Sequence, residues 1–105
     1  MDSKQFIIQN ALTRLTCRID AMSMSSQEKS LVIQSLRSVD TLFLERLCEQ
    51  SQRRLSATNL SYIICFVAGL DTQTIANVFT VAPATVYSVR YRLRAYFPQG
   101  TILPF

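Results

Sequence analysis

An all-α protein is expected from three features of the sequence. Gly occurs twice and Pro three times in 105 residues, too few to punctuate the many turns of a sandwich or barrel. Leu, Ile, Arg, Gln and Ala recur throughout, and apolar residues return at intervals of three and four, the period of a helix. Apolar residues make up 49% and charged residues 17%, so the chain has enough hydrocarbon to bury a core and is no disordered tail.

The first half of the chain carries two apolar stripes. Over residues 5–22 the positions Ile8, Leu12, Leu15, Ile19 and Met22 are spaced 4, 3, 4, 3, the rhythm of a helix that buries one narrow seam. Residues 23–26 are small and mostly polar. Ser26 is the expected N-cap of a second helix running to about residue 50, with Val32, Leu36, Val39, Phe43 and Leu47 inward. Residues 1–50 then read as an antiparallel helical hairpin. Leu31, Ile33, Leu42 and Leu44 make the second helix apolar on more than one face, so part of it must be covered by the second half of the chain or by another subunit. A homodimer through residues 1–50 is the expectation.

The polar stretch 51–54 links the hairpin to the second half of the chain, and divides the whole into residues 1–52 and 53–105. A third helix over about 58–68 carries Leu60, Ile63, Ile64 and Val67 inward and ends at Gly69, a residue suited to a left-handed cap. Asp71 or Thr72 can cap a short fourth helix, 73–79, with Ile75, Ala76 and Phe79 on its apolar side. Thr80, Val81 and Ala82 form a tight connection. Pro83 opens a fifth helix, where Val86, Val89, Leu93 and Phe97 recur until Pro98 stops it, giving a span of 83–97.

Composition removes most chemistry. The chain has no His and no Trp, and Cys17, Cys48 and Cys65 never form a Cys-x-x-Cys pair, so His-based triads and most zinc sites are excluded. No catalytic residue, metal or cofactor is expected. The longest apolar run, 62–70, falls far short of the roughly 20 residues of a bilayer crossing. No membrane partner is expected, and scattered reduced thiols fit a cytoplasmic location. Net charge is +4, but unevenly placed. Up to residue 52 six bases balance six acids, whereas beyond it Arg53, Arg54, Arg90, Arg92 and Arg94 face Asp71 alone. A local basic stripe implies a polyanionic partner.

Two helices joined by a three-residue turn, the second longer and basic, make a helix-turn-helix that lays its second helix in the major groove of double-stranded DNA. Ala76 lies ten residues before Val86, and these small and β-branched residues suit a close helix crossing. Thr80 departs from the pattern, since Gly is common at that turn. The stretches 55–60, 69–76 and 81–94, above all Gly69-Leu70-Asp71-Thr72-Gln73-Thr74-Ile75-Ala76 and Thr85-Val86, resemble the LuxR/NarL-type (GerE-like) DNA-binding domain of bacterial transcription regulators. Asn59 and Thr74 stand where that family usually has Glu, and its fourth, dimerising helix has no room after Phe97.

The resemblance implies a sequence-specific transcriptional regulator with residues 83–97 as recognition helix. Tyr87, Ser88 and Tyr91 would read bases, and Thr72, Gln73, Thr85, Arg92 and Arg94 would hold phosphates. Arg90 can instead cover apolar surface with its stem. Two alternatives stay open. One is a protein-interaction module that keeps this fold without DNA binding, using Tyr87 and Tyr91. The other makes the chain the output end of a longer sensor, with the hairpin relaying a signal.

Overall fold

The computed structural model describes residues 3–105, and among them every regular element is a helix. These are α1 (Ser3–Asp20), α2 (Ser26–Arg37), α3 (Thr41–Gln50), α4 (Ala57–Val67), α5 (Thr72–Phe79) and α6 (Pro83–Arg94). The expected fold class is therefore correct. No helix is long and apolar enough to cross a membrane.

Side chains set most of the helix starts. Ser25, one residue before the expected cap, accepts the Glu28 N–H at 3.1 Å, and Ser56 accepts that of Asn59 at 3.1 Å. Asp71 accepts the Thr74 N–H at 2.7 Å and opens α5. Each bond satisfies an amide that the first helical turn leaves without a partner. Ala82 provides no side-chain cap; Pro83 follows it at the start of α6, where a missing N–H is harmless.

The single helix expected over 26–50 is two helices, so the first 50 residues form three helices rather than a hairpin. Asp40 is the cause. Its backbone is extended, and its carboxylate takes the N–H groups of Leu42 (3.0 Å) and Phe43 (3.4 Å), starting α3 afresh. The break resets the helical phase: Leu44 and Leu47 turn fully inward, while Val39 and Phe43 are only half-buried. Two other ends also move. Met22 lies beyond the last residue of α1, and α6 stops at Arg94 rather than residue 97. Tightened turns at Ala95, Tyr96 and Phe97, each N–H reaching back three residues, still deliver Phe97 to the core.

At the centre lies α4. Tyr62, Ile63, Ile64, Cys65 and Phe66 are all buried, so this helix is covered on every side, as its apolar composition requires. Helix α1 packs against α2, α3, α4 and α5, burying Ile8, Ala11, Leu15 and Ile19. Helix α6 rests on α5 and α4. The buried residues form one cluster that draws on both halves of the sequence. Two fastenings hold the later segments. The Gln52 N–H donates to the Tyr96 carbonyl at 2.7 Å, and the Phe105 ring lies 5.3 Å from that of Phe66.

Candidate nucleic-acid interface

The α5–α6 unit is built on two left-handed caps. Gly69 (φ 77°) ends the turn after α4, with the Leu70 N–H reaching the Cys65 carbonyl at 3.2 Å. After α5 the same role falls to Thr80 (φ 56°, ψ 50°), and the Val81 N–H reaches the Ala76 carbonyl at 3.0 Å. The unusual threonine at this turn is thus a β-branched residue held in the conformation that favours Gly. Helices α5 and α6 pack together, and Ala76 and Val86 are 1% and 0% exposed, side chains whose size suits a close approach.

Burial of Val86, Val89 and Leu93 aims the opposite side of α6 at solvent. Tyr87 is 57% exposed and Tyr91 80%, one helical turn apart, and Ala84, Thr85, Ser88, Arg92 and Arg94 are exposed as well. The Ser88 hydroxyl donates to the Ala84 carbonyl at 3.2 Å, which leaves its oxygen lone pairs for an incoming donor. Tyr87, Ser88 and Tyr91 therefore share one face, and Thr85 and Arg92 flank it on one side.

The remaining expected contacts are placed differently. Arg94 is exposed, but its Nε–H is engaged by the Phe105 backbone oxygen at 2.7 Å, tying α6 to the terminal segment. Arg90 lies with its guanidinium 4.8 Å above the Phe66 ring and 5.9 Å from that of Tyr87. Its Nε is the one buried side-chain polar atom without a hydrogen bond among the described residues. Arg90 thus covers apolar surface. Thr72 is half-buried at the start of α5, and Gln73 donates from Nε2 to Asn77 Oδ1 at 3.0 Å. A phosphate approaching this pair meets the Asp71 carboxylate, which already caps the helix. Among the described residues no Asp or Glu lies within ion-pair distance of Arg90, Arg92 or Arg94.

Sequence reasoning missed the part of this surface supplied by α1. Arg18 donates from Nη1 to the Val78 carbonyl at 3.3 Å and sits 5.7 Å over the Phe79 ring. Phe79 stacks in turn on Tyr62, with centroids 3.8 Å apart and planes within 11°. Burial pushes the Tyr62 phenol above its ordinary range, Cys65 adds to this, and the positive charges of Arg92 and Arg18 oppose it. The available signal was the spacing of Arg14 and Arg18, four residues apart and so on one helix face. Comparison with protein-family models, curated proteins and solved structures gives no match for this chain.

Proposed function

We propose that the chain is a sequence-specific DNA-binding transcriptional regulator of the LuxR/NarL type, placing α6 in the major groove and acting as a homodimer through residues 1–50. One observation carries this reading. A three-residue turn joins α5 to α6, the two helices pack together with Ala76 and Val86 buried, and the far side of α6 keeps Tyr87, Ser88, Tyr91 and Arg92 in solvent. Phenol and serine hydroxyls can bond to base edges, the tyrosine rings can contact thymine methyls, and Arg92 can neutralise a phosphate. Exposed Leu31 (59%) and Leu42 (58%) support the dimer, because apolar side chains of this size gain by being covered. A two-fold dimer would present its recognition helices about 34 Å apart, one DNA turn.

The 80% exposure of Tyr91 also favours a second reading, in which this face docks a protein. Anisotropy of a labelled mixed-sequence duplex against salt concentration separates the two. Binding that weakens steeply with salt, and less steeply for Arg92→Glu, supports the DNA reading. Arg92 is tested alone because Arg94 also holds the terminal segment. Absence of binding even at low salt rejects the DNA reading, leaving the tyrosine face to a protein partner.

A further inference from the structure

The cleft between α1, α4 and α5 is lined by Arg14, Arg18, Thr58, Ser61 and Phe79, with a volume of about 80 Å³. It has the scale of a few oxygen atoms and is too small for a cofactor or drug-sized ligand. Two guanidinium groups supply its charge and the Thr58 hydroxyl adds a donor, while the Ser61 hydroxyl already donates to the Ala57 carbonyl at 3.0 Å. Such a donor set recognises phosphate oxygens. Among the described residues no carboxylate lies within ion-pair distance of Arg14 or Arg18.

The placement of Arg18 gives the cleft a fixed relation to the helix-turn-helix. One nitrogen is anchored on the Val78 carbonyl at the end of α5, and the guanidinium lies over Phe79. Phe79 stacks on Tyr62, whose hydroxyl feels the charges of both Arg18 and Arg92. Cation, ring and ring thereby join α1 to α4 through α5. We propose that Arg14 and Arg18 form a phosphate clamp that continues the DNA-contact surface from Arg92 across onto α1. This rests on the DNA-binding reading and adds to it: α1, expected to pair subunits or relay a signal, grips the backbone beside the groove that α6 reads. Phosphate contacts of this kind carry no sequence information; they fix register and add affinity equally on every duplex.

The test uses the full chain with the labelled mixed-sequence duplex, measuring the slope of log affinity against log salt. Each lost phosphate contact lowers that slope by about 0.9. Arg14→Gln/Arg18→Gln is expected to lower it by up to about 1.8, and Arg14→Gln alone, which leaves the Val78 anchor intact, by about 0.9. Arg46→Gln removes the same charge from α3, outside the cleft, and is expected to keep the parent slope. Thermal melting by circular dichroism verifies that each variant is folded. If Arg92→Gln lowers the slope while the α1 variants retain it, the clamp is overturned and the helix-turn-helix reading stands. An equal effect of Arg46→Gln also overturns the clamp, since the response would then report net charge alone. A parent chain that fails to bind the duplex at low salt removes both readings together.

Discussion

Two residues do the same backbone work with opposite chemistry. Gly69 and Thr80 both occupy left-handed caps, at φ 77° and 56°. A Cβ at Gly69 would meet no atom within 4 Å, so Gly69→Ala incurs a backbone penalty alone, about 1 kcal/mol. Thr80 already bears that penalty plus the constraint of a branched Cβ. Thr80→Gly is therefore expected to raise stability by about 0.5–1 kcal/mol, after allowing for the greater freedom of Gly in the unfolded chain. Urea denaturation of the two variants checks both signs. Ionisation gives a second expectation at this scale. Burial pushes the Cys65 thiol from 9.0 up to about 12. The folded state then holds its proton more tightly than the unfolded state, so this contribution is complete below about pH 9 and is lost as pH rises towards 12. Stability measured across that window should fall, and less so for Cys65→Ala, even though that variant is less stable at pH 7. Thiol titration at pH 8 should find exposed Cys17 first, half-buried Cys48 more slowly and Cys65 only after unfolding.

At the scale of the element, helices are legible in the sequence wherever capping and period agree. Helices α4 and α5 lie within a residue of their expected spans, because Gly69 and the Asp71-Thr72 pair punctuate them. The boundary between α2 and α3 is hidden because Val32, Leu36, Val39, Phe43 and Leu47 keep helical spacing straight through the break. Apolar period cannot reveal a boundary that a single carboxylate imposes by capturing two amides. If Asp40 is what separates α2 from α3, Asp40→Ala should lose about 1 kcal/mol in denaturation. Its circular dichroism should also show no loss of helix, since the chain across 38–40 can join the flanking helices. Within α6, the outward residues are legible because Val86, Val89 and Leu93 define the opposite side. That Arg90 covers apolar surface is legible too, though not that Phe66 is what it covers, and the fate of Arg94 is not, since Phe105 reaches it only through the tertiary fold.

For the whole molecule, the decisive fact is that residues from both halves share one buried cluster. Sequence punctuation at 51–54 marks a chemical boundary, yet α1 packs on α4 and α5 across it. Pattern along a chain records which faces are apolar and leaves open which face meets which, and so the α1 arginines are invisible there as neighbours of Phe79. The proposed dimer belongs to this scale. Sedimentation equilibrium of the full chain is expected to give a dimer, and Leu31→Glu/Leu42→Glu a folded monomer that binds DNA more weakly. A parent chain that sediments as a monomer rejects the subunit contact. The mid-chain position of α4 also governs how the protein is made. During synthesis the first three helices emerge before α4, so α1 waits with its α4-facing side uncovered until residue 67 has left the ribosome. Folding to the finished core is therefore a late event, and a chain arrested before α4 presents to chaperones the apolar surface that the completed protein conceals.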